Sequence, residues 1–186
     1  MQRKIIILIL TLLVMGTTSC RVHKPAVVGR VCLPPSPPEL EVEERTEDLS
    51  LELKTPVTIE DNLTLYEFVK DWLRVPYRYG AYSKAGTDCS GFVYHLYKDV
   101  YGIDVTRTSA QGLREKCRAI DKTELKEGDL VFFNIRNRRG GAASHVGVYL
   151  KNGLFVHAAT RSGVTISRMS DGYYTRYYLS SGRILE

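Results

Sequence analysis

The chain has 186 residues, with 26 Lys and Arg against 21 Asp and Glu, for a net charge of +5. A chain of this length holds one core once its N-terminal extensions are set aside. Its four cysteines include no CxxC pair, which argues against a structural zinc site.

Arg3 and Lys4 form a cationic head. Ile5 to Val14 is an apolar run broken only by Thr11, and Met15 to Ser19 turns small and polar. This is the pattern of a secretory signal over residues 1–19. The run is short for a membrane span, which needs about 20 apolar residues. An uncleaved N-terminal anchor is the alternative. Thr17-Thr18-Ser19-Cys20 resembles a bacterial lipoprotein processing site, although Thr17 stands where leucine is commonest. The resemblance implies cleavage before Cys20 and a diacylglycerol on its thiol.

Residues 20–61 read as a lipid-bearing cysteine and a spacer. Pro34, Pro35, Pro37 and Pro38 favour extended backbone. Seven acidic residues between Glu39 and Glu52 follow, relieved only by Arg45. A self-repelling segment of this kind is expected to be extended or disordered. The charge then reverses: from Asn62 to Glu186 there are 19 Lys and Arg against 12 Asp and Glu. A basic domain suits an anionic partner. Export argues against nucleic acid, and a carboxylate-rich cell-wall peptide fits; plain solubility is the simpler explanation of the charge.

Leu65, Phe68, Val69 and Trp72 follow helical spacing, with Pro76 as the stop. Tyr77 to Asp88 reads as a loop. From Cys89, Phe92, Val93, Leu96, Tyr97 and Val100 predict a second helix ended by Gly102. Ser109 to Lys116 is a third, with Ser109 as N-cap. The period then changes. Leu130 to Phe133, Val146 to Leu150, Leu154 to Ala158 and Val164 to Ser167 read as strands, with a turn signal at Asn152-Gly153. Helices first and antiparallel strands after give an α+β fold over residues 62–186.

Cys89 opens a predicted helix behind a Gly-containing loop. Backbone amides and the helix dipole at such a place stabilise a thiolate, and the same amides face a developing oxyanion. A buried inert cysteine fits the spacing equally well. Of four histidines, His23 lies in the spacer. His95 is six residues past Cys89 and almost on the opposite side of the helix, as a packing or surface residue. His145 and His157 lie on neighbouring strands and make a nucleophile, base and orienter set with Cys89. A two-residue Asn152-Gly153 turn pairs Lys151 with Leu154 and sets His157 opposite Val148, off the face of His145. A bulge or frayed strand end is then needed to bring the imidazoles together. The same three residues could alternatively ligate zinc, with water as a fourth ligand. Cys32 and Cys117 either pair in an oxidising compartment or stay reduced.

Six motifs, in order, resemble the NlpC family of papain-like cysteine peptidases. They are Val75-Pro-Tyr-Arg-Tyr-Gly80, Gly86-Thr-Asp-Cys-Ser-Gly-Phe-Val93, Thr106-Arg-Thr-Ser-Ala-Gln111, Leu125-Lys-Glu-Gly-Asp-Leu-Val-Phe-Phe133, Ser144-His-Val-Gly-Val-Tyr149 and Phe155-Val-His-Ala158. The resemblance covers residues 64 to 186. It implies a papain-like domain whose nucleophile, at a helix N-terminus, packs on an antiparallel sheet. Cys89 matches the nucleophile, His145 the general base and His157 the orienting third residue. Tyr77 matches a residue shaping the oxyanion region, and Asp88 and Ser90 match residues lining the substrate groove. Tyr79-Gly80-Ala81 departs from a more usual Gly-Gly pair. Asn137 to Ala143, with Arg136, Arg138 and Arg139, is a basic loop that either borders the groove or forms a solvated tip. The implied activity is hydrolysis of amide bonds in peptidoglycan stem peptides or crosslinks through an acyl-enzyme, with no metal or cofactor. A lipid acyltransferase or an inactive wall-binding protein of the same fold is the alternative. The expected partners are peptidoglycan and a membrane reached through the lipid, with no nucleic acid. The expected form is a monomer on the outer membrane, facing the periplasm.

Overall fold

In a computed structural model of the chain, the first helix begins inside the segment expected to be extended. The structure describes residues 37–136 and 141–185. The leader, Cys20, His23, Cys32 and loop positions 137–140 lie outside the described residues, and with them the expected lipid attachment and the question of a Cys32–Cys117 pair.

Helix α1 spans Pro37–Leu53. Proline fits a first helical turn, where no intrahelical N–H bond is needed, and Glu39 meets the positive end of the helix dipole. Val42, Thr46, Leu49 and Leu53 recur at helical spacing and point inward, while the acidic residues face solvent. Leu49, Leu53 and Val57 join the main core. Arg45 pairs with Glu67, and Asp48 with Lys70. The expectation of an extended spacer through Asp61 is therefore corrected. The acidic run looks self-repelling in sequence, yet its sparse apolar residues fall on one helical stripe that packs.

Helix α2, Leu63–Trp72, starts where the Asn62 side chain accepts a hydrogen bond from the Leu65 N–H at 3.1 Å. It buries Leu65, Tyr66, Val69 and Trp72 and ends ahead of Pro76. A small hairpin of β1, Tyr82–Ser83, and β2, Gly86–Thr87, follows. Helix α3, Cys89–Leu96, runs into a π turn over Tyr97–Tyr101 and stops at Gly102, whose φ of 69° suits glycine. Helix α4, Ala110–Lys116, is capped by Ser109, whose hydroxyl accepts from the Gly112 N–H at 3.2 Å.

Strands β3 (Arg118–Ile120), β4 (Leu130–Phe133), β5 (His145–Tyr149), β6 (Leu154–Ala159) and β7 (Gly163–Arg168) come next. Helix α5 (Gly172–Tyr177) and β8 (Tyr178–Arg183) close the chain. The sheet order is β3-β8-β4-β5-β6-β7, with every pair antiparallel. The fold is α+β. Strand residues alternate between two faces. Leu130, Phe132, Val146, Val148, Val156 and Ala158 meet the helices in the main core. Val131, Phe133, Phe155 and Met169 form a smaller cluster with Tyr174 packed against it.

The β5–β6 connection differs from the expected one. Val148 pairs with Val156 and Tyr149 with Phe155, one residue away from the register of a two-residue turn. Leu150 N–H donates to Leu154 O at 2.9 Å, and Leu154 N–H to Lys151 O at 2.8 Å, so the loop is Lys151-Asn152-Gly153. Asn152 and Gly153 take the left-handed conformation, with φ of 52° and 75°. A slip of one residue exchanges the two faces of a strand. This loop therefore carries His157 to the face of His145, and no bulge is needed.

Candidate active site

Asp88 builds the start of α3. Its Oδ1 accepts from the Gly91 N–H at 2.7 Å and the Ser90 hydroxyl at 3.0 Å, and its Oδ2 accepts from the Gly80 N–H at 2.8 Å. One carboxylate thus caps the helix and pins the preceding loop to it. A Cβ at Gly91 would lie 2.4 Å from the Ala81 carbonyl oxygen, so this loop rests directly on the first helical turn.

Cys89, the first residue of α3, is 8% exposed. The amides of Val146, Ser90 and Cys89 itself face its sulfur. Burial is the strongest influence on the thiol and pushes its pKa up to about 11. The Val146 amide opposes that rise, and the Asp88 carboxylate adds to it. The Val146 contact places the sulfur at the start of β5, beside His145.

His145 is the first residue of β5 and His157 the fourth of β6; they are 9% and 1% exposed. The Nε2 of His145 and the Nδ1 of His157 are 2.8 Å apart, with the rings perpendicular at 90°. Gly147 makes this approach possible. A Cβ there would lie 2.6 Å from Phe155 Cδ2, 2.9 Å from the Val156 carbonyl oxygen and 3.2 Å from His157 Cβ. His157 Nε2 lies 3.0 Å from the Ser167 hydroxyl oxygen and 3.1 Å from that of Tyr174. Burial, followed by the Arg136 guanidinium, lowers the His145 pKa to about 4, with Asp88 opposing. Burial and the neighbouring His145 hold His157 well below the ordinary histidine range. At neutral pH the site therefore rests as a thiol and two neutral imidazoles.

Two adjoining cavities of about 520 and 540 Å³ share Tyr77, Arg136 and Ser144. One holds His145 and His157, and the other holds Asp88, Cys89 and Ser90. Together they form a groove that passes sulfur and imidazoles. Tyr77 stands at the join, half-buried. Burial, and then Cys89 and Asp88, raise its pKa, so its hydroxyl remains a donor beside the sulfur. The groove wall carries stacked cations. The Arg107 guanidinium sits 3.8 Å from the Tyr82 ring centre, and that of Arg136 sits 5.5 Å from the Tyr79 ring centre. The Tyr79-Gly80-Ala81 departure thus supplies an exposed aromatic face for Arg136. His95 lines neither cavity. Its Nε2 is 2.8 Å from the Tyr82 carbonyl oxygen, and its ring packs near Trp72, Tyr82 and Tyr94.

The model of the NlpC/P60 family matches residues 74–183. The chain belongs to that family. A probable endopeptidase NlpC homolog of Haemophilus influenzae is 44% identical over 115 residues, covering 62% of this chain and 58% of its own. The murein DD-endopeptidase MepS/murein LD-carboxypeptidase of Escherichia coli K12 is 39% identical with the same coverage. The chain thus spans under two thirds of the length of these relatives. A crystal structure of an NlpC/P60 family protein from Bacillus cereus superposes with a TM-score of 0.60 at 30% identity, covering 67% of this chain and 40% of that one.

Sequence reasoning did not reach Ser167 or Tyr174. Ser167 was detectable in principle, because the β6–β7 hairpin pairs His157 with Thr165, two residues away. Tyr174 comes from a short helix with no strong sequence signal. Arg107 lies inside the Thr106–Gln111 motif, whose resemblance carries no role for it.

Proposed function

We propose that this chain is a peptidoglycan endopeptidase that cleaves amide bonds of cell-wall stem peptides or crosslinks through an acyl-enzyme on Cys89. The observation that carries this reading is the His145–His157 contact at 2.8 Å in a groove shared with the thiol of Cys89, the first residue of α3. The names of the relatives, murein endopeptidases among them, point to the same substrate.

In this mechanism the Cys89 sulfur attacks the carbonyl carbon as its proton passes to His145. The carbonyl electron pair moves to oxygen, where amides at the helix start and the Tyr77 hydroxyl are at hand as donors. Collapse expels the amine, which takes its proton back from His145. Water, deprotonated by the same imidazole, then releases the acyl group. His157 orients His145. Asp88 shapes the groove as a cap, and Ser90 lines it. The groove carries the guanidinium groups of Arg107, Arg136 and Arg161, which favours an anionic peptide over a lipid acyl chain. Lipidation at Cys20 and an outer-membrane position facing the periplasm complete the proposal. They are supported by the leader pattern that ends at Cys20. Among the described residues, no helix is long and apolar enough to cross a membrane.

The test is digestion of purified peptidoglycan by wild type and Cys89→Ala, with mass analysis of the products. New peptide fragments are expected from wild type alone, and their masses identify the bond. Intact stem peptides after wild-type treatment would refute the reading.

A further inference from the structure

We infer that Ser167 and Tyr174 are positioning residues that fix the tautomers of the His145–His157 pair, through the acceptor oxygens they present to His157 Nε2. This rests on the proposed role of Cys89 and His145.

At 2.8 Å, one proton lies between His145 Nε2 and His157 Nδ1. Two arrangements of neutral rings are possible. In the first, His145 Nε2–H donates, so His145 Nδ1 is bare and free to take the thiol proton. His157 then carries its own proton on Nε2. In the second, His157 Nδ1–H donates, and a neutral His145 must carry its proton on Nδ1. That ring cannot act as the base toward Cys89. The choice is settled at the far side of His157, where Nε2 is either a donor or a bare acceptor.

Two hydroxyl oxygens converge on that nitrogen, Ser167 at 3.0 Å and Tyr174 at 3.1 Å. A bare ring nitrogen has a single in-plane lone pair and takes one donor well. An N–H can be shared between two acceptors in a three-centre bond. The pair of oxygens therefore favours Nε2–H, which is the productive arrangement. The hydroxyl protons have other places to go. The Ser167 hydroxyl donates to the Tyr174 oxygen at 3.4 Å, and Tyr174 lines the open groove, where its own proton meets solvent.

Both oxygens are held in place by the fold. β7 pairs Ser167 with Phe155 and Thr165 with His157, so Ser167 is the diagonal neighbour of His157 on the same face. The Tyr174 ring meets Phe155 edge-on at 4.9 Å and Phe133 at 5.4 Å. During acylation the thiol proton moves to His145 Nδ1, the sulfur–carbon bond forms, and the Nε2 proton stays on His145. No proton passes to His157, so Ser167 and Tyr174 act only by holding the rings.

The test uses the purified full chain with ¹⁵N-labelled histidine. Long-range proton–nitrogen spectra report which ring nitrogen carries each proton, independently of activity. Wild type is expected to show both His145 and His157 protonated on Nε2. In Ser167→Ala/Tyr174→Phe, the His157 proton redistributes toward Nδ1, and kcat falls about 10-fold to 100-fold, as for outer partners of other functional histidines, with KM nearly unchanged. Ser167→Thr alone, which keeps both acceptor oxygens, is expected to retain the wild-type tautomers and most of kcat. A folded double variant that keeps the wild-type tautomers and kcat overturns the inference. So does a Ser167→Thr protein that keeps the wild-type tautomers but loses kcat as far as the double variant. If instead wild type releases no peptide from peptidoglycan, the functional reading fails, while the wild-type tautomers still test the assignment.

Discussion

Gly147→Ala probes the link between the sheet and the histidine pair. The added methyl would meet Phe155 Cδ2 at 2.6 Å and the Val156 carbonyl oxygen at 2.9 Å, against an ordinary carbon contact of about 3.5–4.0 Å. The phenyl ring can rotate, but the carbonyl belongs to the backbone of β6. Strands β5 and β6 must therefore part by roughly 1 Å, and overpacking of this kind costs about 1–3 kcal/mol. The same displacement stretches the 2.8 Å His145–His157 contact beyond hydrogen-bond range. A misplacement of about 1 Å at a catalytic group costs on the order of 100-fold in rate. Urea denaturation reads the stability, and steady-state cleavage of a soluble stem peptide reads kcat and KM. The expected result is a folded but destabilised protein with kcat down about 100-fold and KM little changed. Gly172→Ala, where a Cβ meets nothing within 4 Å, serves as the neutral control. A Gly147→Ala protein with wild-type kcat would refute the claim that the glycine exists to let the two rings meet.

Two further predictions concern stability. The unfolded His145 titrates near 6.5 and the folded one near 4, so between those values the unfolded chain takes up a proton that the native one refuses. Stability is then complete above pH 6.5 and falls as the pH drops toward 4. The loss from His145 between pH 7 and pH 5 is about 2 kcal/mol, and urea denaturation at the two pH values should show His145→Gln with a shallower dependence than wild type. An equal pH dependence in the variant would count against a buried neutral imidazole. Leu49→Ala removes a side chain 1% exposed in the main core and should cost about 2–5 kcal/mol by the same denaturation assay. A change below about 0.5 kcal/mol, typical of exposed sites, would mean that α1 is not part of the fold.

What could be read from the sequence divides along physical lines. Cys89 was legible because a helix start leaves local marks: the Asp88 cap, the small residues after it and the apolar spacing beyond. The strand pattern was legible because β4, β5 and β6 bury nearly every residue and read as continuous apolar runs. β8 was not legible, for the opposite reason. Tyr178 to Arg183 is largely polar, and at Gly182 a Cβ would lie 2.5 Å from Cβ of Cys117, the residue just before β3, and 3.3 Å from the Arg118 carbonyl oxygen in β3, so this interior strand is kept small there. Helix α1 was hidden by its charge. Seven acids dominate any average over the segment, whereas the contacts that fold it come from Leu49 and Leu53 on a stripe two residues wide.

The turn between β5 and β6 shows why motifs can name site residues without placing them. Asn152-Gly153 is a strong two-residue hairpin signal, and that turn would set His157 opposite Val148, on the helix-facing side. There the imidazole would be buried among Phe132, Val146 and Val148, away from Ser167 and Tyr174. A neutral ring with neither nitrogen satisfied is costly in such a place. Leu150 instead closes on Leu154 and draws Lys151 into the loop, while Asp61 holds the Lys151 ammonium through an ion pair. The extra loop residue changes the parity of β6 against β5. Val156 and Ala158 then fill the helix-facing core, and His157 turns toward His145 on one side and two hydroxyls on the other. Loop length, rather than the identity of any residue in the pair, is what makes His157 the partner of His145.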